Sequence, residues 1–125
     1  MSKDEPAGTS VVWEGNCLEV LRTFPNHIKR GLGREIQRLQ EGEKPLNSRP
    51  MKSIGQGVFE LRQMDEKGWY RLIYLKKVGD RLFILHSFVK KSAKTSQKDL
   101  KIAKNRLKQV HSRLLQEKKD AQKRK

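Results

Sequence analysis

The chain has 125 residues, with 29 Lys or Arg against 14 Asp or Glu, and its formal net charge is +15. Its apolar runs are too short to span a bilayer, and its first ten residues lack the apolar stretch of a secretory signal. One cysteine, Cys17, allows neither an internal disulfide nor a zinc site by itself. We therefore expect a cytoplasmic protein of one small domain that does not bind membranes.

The positive charge is concentrated near the C-terminus. Residues 1–89 carry 15 basic and 11 acidic side chains, whereas residues 90–125 carry 14 basic and 3 acidic ones. A basic block of this kind is typical of proteins that contact a polyanion, such as nucleic acid, an anionic membrane surface or an acidic protein. The alternative is a solvated helix face with a lysine-rich tail that only maintains solubility.

The first part of the chain is predicted to contain one strand and two helices. Residues 1–10 are polar and are expected to form a disordered leader, and the β-branched residues 11–14 favour a strand. Asn16, with Glu19 three positions later, resembles a capping box at the start of a short helix that ends near Phe24. Pro25 suits the first turn of a second helix, whose apolar stripe consists of Ile28, Leu32, Ile36 and Leu39.

The second part of the chain is predicted to form a three-stranded meander and a long helix. Residues 46–57 favour a loop with one short strand near residues 51–54. The three strands are expected at residues 58–64, 69–77 and 81–90, with turns rich in Gly and Asp between them. Beyond Ser96 the apolar residues are spaced three and four apart, which indicates a helix.

This order of elements predicts an α+β domain built on a twisted antiparallel sheet, a meander. The two N-terminal helices should pack on one face of the sheet, and a C-terminal helix should complete the fold. We expect the domain to span residues 11–110, with residues 111–125 as a basic helical extension or tail.

The first hairpin determines which side chains share a face of the sheet. If Met64 pairs with Trp69, Arg62 lies directly opposite Arg71, and both share one face with Glu60. The other face is apolar and consists of Phe59, Leu61, Tyr70 and Leu72. Because opposed like charges are destabilising, a carboxylate or a bound phosphate should offset the two arginines. A surface network of these arginines with Glu60 is the alternative to a phosphate site.

The second hairpin adds His86, opposite Ile73, and Lys90, opposite Trp69, to the same face, which we call the arginine face. His86 is a candidate for proton transfer, with a structural role as the alternative. Phe88, opposite Arg71, and Trp69 are candidates for stacking on RNA bases, with core packing as the alternative.

A group of lysines follows the last strand and should hold RNA phosphates at the edge of the arginine face. It consists of Lys90, Lys91, Lys94 and Lys98. The sequence contains no Walker loop, no HExxH motif and no usefully spaced pair of carboxylates, so we expect no metal and no cofactor. Cys17 lies on an apolar stripe and is expected in the core.

Four stretches of the sequence together resemble a known family. They are residues 57–62, residues 69–74, residues 85–91, and Lys94-Thr95 leading into residues 103–106. In this order and spacing they resemble the phage-derived Gp49-like, HigB-type branch of the RelE/ParE toxin superfamily, over roughly residues 11–110. The resemblance implies the toxin of a type II toxin–antitoxin pair with a sheet and helices in the order above.

The resemblance also implies an activity and partners. Most HigB-like and RelE-like members are metal-independent endoribonucleases that cut mRNA in the ribosomal A site, where the RNA 2′-hydroxyl is the nucleophile. The partners would then be mRNA, the ribosome and a cognate antitoxin, often a helix-turn-helix protein. Operator DNA would be reached only through that antitoxin.

Carried over by position, Arg62 and Arg71 match the family's sheet arginines, which orient the phosphate and stabilise the transition state. Lys90 and Lys91 match the lysine pair after the last strand, and Lys94 matches the second basic position there. Lys91 is thus expected to be catalytic with the two arginines, and the other lysines to bind RNA.

The sequence departs from the family pattern at two places. Ser96 stands where the family often has Pro, and the C-terminal tyrosine that some RelE members use has no clear equivalent. Proton transfer would then fall to Lys91, Glu60 or His86, and the residues leave that choice open.

Two other functions remain open. A ParE-like protein would inhibit DNA gyrase without nuclease chemistry and should induce the DNA-damage response. A non-catalytic nucleic-acid-binding phage accessory protein would bind with steep salt dependence and cut no RNA.

Overall fold

The structure is a computed structural model, and it describes residues 9–92 and 94–123. Most of the predicted leader, residues 1–8, lies outside the described residues. Ser10, which the leader was expected to include, is already the first residue of a strand.

The described residues contain five strands and three helices. They are β1 (Ser10–Trp13), α1 (Cys17–Arg22), α2 (Asn26–Gln40), β2 (Ser48–Pro50), β3 (Val58–Asp65), β4 (Gly68–Val78), β5 (Arg81–Lys90) and α3 (Gln97–Lys123). The predicted α+β class and order of elements are confirmed. Within this part of the chain, no helix is long and apolar enough to cross a membrane.

The sheet is mixed, so the prediction of a wholly antiparallel sheet was wrong at one edge. Its strand order is β1-β5-β4-β3-β2. Strands β2 to β5 form the expected antiparallel meander, but β1 pairs in parallel with β5, with Ser10 opposite Arg81. The direction of β1 depends on where the rest of the chain places β5, and its four residues contain no signal of it.

The short strand β2 lies before the predicted position. Residues 52–54 form a turn. The apolar side chains of Met51 and Ile54, where the short strand was predicted, are instead buried against α3. Pro50 suits β2 because this strand is at the edge of the sheet, where a missing N–H is tolerated.

The predicted registers of the two hairpins are confirmed around the arginines. Arg62 is opposite Arg71, which is opposite Phe88 on its other side. The first hairpin closes one pair later than expected, at Asp65 and Gly68. The register between β4 and β5 shifts twice on the turn side of these residues, between Ile73 and Tyr74 and again between Leu75 and Val78.

Helices cover both faces of the sheet. The apolar face packs on α1 and α2 through a cluster that includes Leu61, Tyr70, Leu72, Ile28 and Leu32, with Cys17 fully buried among them. The opposite face, which carries the arginines, packs on α3 through a second cluster that includes Ile73, Phe83, Phe88, Ala103 and Leu107. The arginine face is therefore open to solvent only where α3 does not cover it.

The starts of two helices differ in how they are capped. Ser96 caps α3, since its Oγ accepts from the Asp99 N–H at 3.1 Å and donates to Asp99 Oδ2 at 2.6 Å. The capping box predicted at Asn16 is absent in α1, whose first residue Cys17 follows it. The Asn16 side chain accepts instead from Arg106 of α3 at 3.0 Å.

Candidate functional site

A buried carboxylate, Glu60, lies among three arginines. Its Oε2 accepts from Arg71 Nη1 at 3.0 Å, and its Oε1 accepts from Arg49 Nε at 3.2 Å. Arg62 Nε is 3.9 Å from the same Oε1. Each guanidinium carries five N–H donors, so one carboxylate cannot saturate three of them. The cluster keeps net positive charge and free donors.

Arg71 is the most enclosed of the three arginines, with none of its side chain exposed. Besides Glu60, it donates to Thr95 Oγ1 at 2.7 Å and to the Ser92 carbonyl at 3.5 Å. Its Nε has no partner among the described residues. In this conformation Arg71 presents no surface to a ligand, and it fixes the orientation of Glu60.

Arg62 and Arg49 carry the accessible charge of the cluster. Their side chains are 31% and 48% exposed, respectively. The Arg62 guanidinium lies over the Trp69 ring, 5.0 Å from its centroid, which is cation–π geometry. The side chains of Arg49, Arg62 and Trp69 line a groove of ≈ 350 Å³ beside β2 and β3. An uncovered part of the arginine face thus forms a cationic groove with an aromatic wall.

Lys91 lies on the other side of Trp69. It is exposed, and it borders a second groove that the hairpin residues Met64 to Trp69 line. The two grooves share Met64 and Trp69. An extended chain that passes over Trp69 can therefore meet Arg62 on one side and Lys91 on the other.

Asp99, in the first turn of α3, joins this helix to β5. Its Oδ1 is 2.8 Å from His86 Nε2, and its Oδ2 is 3.0 Å from Lys90 Nζ. Burial alone would raise the pKa of Asp99, but hydrogen bonds from Ser96, His86 and Lys90 outweigh it and hold the pKa below its ordinary value. Lys90 is therefore held by a carboxylate of its own protein.

His86 and Phe88 lie under α3, apart from the groove. Both are buried, and their rings stack at 4.7 Å between centroids. Burial lowers the pKa of His86, and the neighbouring Asp99 offsets this effect only in part. The imidazole of His86 therefore stays neutral down to a lower pH than an exposed imidazole does.

The structure thus brings together some of the predicted site residues and separates others. Arg62, Trp69 and Lys91 surround the two grooves, with Glu60 and Arg71 buried behind Arg62. Lys94 and Lys98 are exposed near the start of α3.

Sequence reasoning missed Arg49 and Asp99. Arg49 lies directly opposite Glu60 in the β2–β3 ladder, so a correct position for β2 would have identified it. Asp99 follows Ser96 by three positions, a spacing typical of a capping box, and that signal was available.

Comparison with known proteins places the chain in a family. Residues 19–108 match the model of the family described as phage-derived protein Gp49-like (DUF891). No curated protein matches the chain significantly. The match runs from α1 to the middle of α3 and includes Glu60, Arg62, Arg71 and Lys91. The family belongs to the RelE-like group that is related to toxin–antitoxin systems. The chain is a member of the Gp49-like family.

Proposed function

We propose that this protein is the toxin of a type II toxin–antitoxin pair, and that it arrests translation by cutting mRNA on the ribosome. Membership of the Gp49-like family supports the toxin role. The observation that supports RNA as substrate is the groove in which Arg62 and Arg49 lie beside Trp69. Guanidinium groups bind phosphate oxygens bidentately, and aromatic rings stack on unpaired bases.

In the proposed reaction the RNA 2′-hydroxyl gives its proton to solvent water and attacks the adjacent phosphorus, and the bond from phosphorus to the 5′-oxygen of the next nucleotide breaks. Arg62 and Arg49 hold the non-bridging oxygens and stabilise the charge that develops on them. Trp69 stacks on a neighbouring base and orients the chain. The products are a 2′,3′-cyclic phosphate and a 5′-hydroxyl.

Lys91 is the proposed donor of the proton to the leaving oxygen, because it is exposed on the far side of Trp69. The other two candidates are less suited to reach RNA, since Glu60 is fully buried and His86 is bonded to Asp99 under α3. Arg71 would reach a phosphate only if its bonds to Glu60 and Thr95 opened. Arg71 therefore acts as a positioning residue, through Glu60.

The partners follow from the same proposal. Exposed Lys94 and Lys98 would bind flanking RNA, whereas Lys90 would first have to leave Asp99. A helix-turn-helix antitoxin would neutralise the protein and connect it to operator DNA. Co-expression of a small helix-turn-helix protein from the neighbouring reading frame should then abolish growth arrest.

Induced expression followed by primer extension of cellular mRNA tests the reaction. The wild-type protein should stop growth and produce new 5′ ends in translated messages, and Arg62→Gln should do neither. Arg30→Gln, an equal charge change on the exposed side of α2, should behave as wild type. Growth arrest with a DNA-damage response and intact mRNA would instead indicate a gyrase inhibitor. Salt-sensitive RNA binding without any cleavage would indicate an accessory protein.

A further inference from the structure

The outward side of α3 carries a row of lysines, which we call the lysine ridge: Lys101, Lys104, Lys108 and Lys119. All four are exposed. At 3.6 residues per turn they fall within about 60° of the helix circumference, and at 1.5 Å per residue they extend over about 27 Å. None of them is paired with a carboxylate among residues 9–92 and 94–123.

The inner side of the same helix uses arginines to hold it to the domain. Arg106 donates to the Leu85 carbonyl at 3.0 Å, and Arg113 donates to both oxygens of Glu14 at 3.0 and 2.6 Å. Glu117 accepts two hydrogen bonds from Arg81 at 3.2 and 2.7 Å. These contacts continue beyond residue 108, where the family match ends. They fix the rotation of the helix and turn the lysine ridge toward solvent.

The acidic residues of α3 lie away from the lysine ridge. Asp99 and Glu117 are on the inner side, where they bind β5. Asp120 accepts from Gln116 and is about 100° from Lys119 around the helix. The ridge is therefore a straight cationic surface without interspersed anions, and it is complementary to a regular row of negative charges.

We infer that the lysine ridge binds double-helical RNA of the ribosome through its phosphates, an inference that rests on the proposed function. Residues 97–123 contain no Phe, Tyr or Trp, so this helix offers none of the aromatic platforms on which single-stranded RNA stacks. Lysine is a point charge that contacts phosphate without reading bases. RNA duplexes are recognised mainly by shape and backbone, which a rigid, straight row of lysines fits.

The lysine ridge and the groove lined by Arg49, Arg62 and Trp69 thus have different tasks. The groove combines an aromatic ring with arginines and suits single-stranded mRNA, whereas the ridge suits the folded RNA that surrounds it on the ribosome. This separation predicts that binding and cutting can be changed independently.

Substitution of the four ridge lysines by glutamine tests the inference. The matched control changes Arg30, Arg34, Lys44 and Lys52 to glutamine, because these are also exposed and the net charge falls by the same amount. Affinities for a synthetic RNA duplex and for a single strand of equal length are measured over a range of salt. Circular dichroism verifies that α3 remains helical.

The ridge variant should bind the duplex at least about tenfold more weakly, and its salt slope should fall by up to about four, one for each lost phosphate contact. The control should lose much less. Equal losses in the two variants would overturn the inference, because bulk charge would then explain binding. A loss confined to the single strand would also overturn it. So would competition by polyglutamate as effective as that by the duplex, which would indicate an acidic protein partner.

Co-sedimentation with purified ribosomes identifies the source of the RNA. The ridge variant should leave the ribosomal pellet at a salt concentration where the control and Arg62→Gln remain bound, and its binding to free mRNA should change little. If the wild type cuts no mRNA but ribosome binding still needs the ridge, only the nuclease proposal fails. If the wild type cuts mRNA and the ridge variant still binds ribosomes fully, only the ridge inference fails.

Discussion

Glu60 and Arg71 form an ion pair that is shielded from water, with 3.0 Å between Glu60 Oε2 and Arg71 Nη1 and no exposed surface on either side chain. The pair is diagonal in the β3–β4 ladder, since Arg71 lies opposite Arg62 and Glu60 opposite Ile73. The carboxylate therefore removes the repulsion between two opposed arginines by binding one and approaching the other. It also keeps the orientation of Arg49 and Arg62 at the surface.

Removal of one partner of this pair should be strongly destabilising. Glu60→Leu leaves the Arg71 guanidinium buried without its counter-charge, and we expect a loss of about 3 to 5 kcal/mol in the free energy of unfolding. The double variant Glu60→Leu/Arg71→Leu should lose clearly less than the sum of the two single variants, as measured by urea denaturation. Additive losses would show that the two charges are not coupled.

Arg49 should matter for activity and little for stability. Its side chain is 48% exposed, so loss of its contact with Glu60 should change the free energy of unfolding by less than about 1 kcal/mol. If Arg49 stabilises the transition state, Arg49→Gln should reduce mRNA cleavage on translating ribosomes by about 100-fold or more. Arg34→Gln, an exposed arginine on α2, is the control and should retain full cleavage. Full cleavage by Arg49→Gln would remove this residue from the site.

The stability of the protein should fall as the solution becomes acidic, beginning below the ordinary His86 pKa of 6.5. Because burial lowers the pKa of folded His86, the unfolded chain binds more protons below pH 6.5, and stability is lost as the pH falls toward the lowered value. Asp99 also has a lowered pKa in the fold, so its contribution is present above 3.8 and is lost below that value.

Urea denaturation between about pH 7.5 and about pH 5 separates these two contributions, since of the two groups only His86 binds a proton in this range when the chain unfolds. His86→Gln keeps a donor for Asp99 and should flatten the decline. His111→Gln, an exposed histidine of α3, should leave the decline unchanged. An unaltered slope in His86→Gln would assign the decline to other groups.

The two arginine–carboxylate contacts that hold the end of α3 should differ in strength. Glu14 is only 7% exposed, so Arg113→Ala leaves a nearly buried carboxylate without its two donors and should cost about 1 to 3 kcal/mol. Glu117 is 53% exposed, and Arg81→Ala should cost less than about 1 kcal/mol because water replaces the lost contact. Thermal denaturation of both variants tests this order, and equal losses would contradict the role given to burial.

The sequence was sufficient for the parts of the fold that short-range rules determine. The tight turn between β3 and β4 sets the register that places Arg62 opposite Arg71, and the apolar alternation identified the face that packs on α1 and α2. The direction of β1 and the position of β2 could not be obtained in this way. Both are edge strands of three or four residues, and their pairing depends on distant segments.

The same limit applies to the site. Alternation predicted that Arg71 and Arg62 share a face, but the depth of Arg71 depends on contacts with Ser92 and Thr95 beyond the next strand. His86 and Phe88 share that face too, yet α3 covers them. Sequence patterns indicate the face on which a side chain lies, whereas tertiary packing decides whether solvent reaches it.

The parallel pairing of β1 with β5 has a consequence for how the protein is made. Ser10 leaves the ribosome early, but its partner Arg81 follows much later, and Arg113, which binds the adjacent Glu14, later still. Pairings between such distant residues form slowly and only after most of the chain has been synthesised. If the protein acts on translating ribosomes, the ribosome that produces it meets no complete fold until Arg113 has been synthesised.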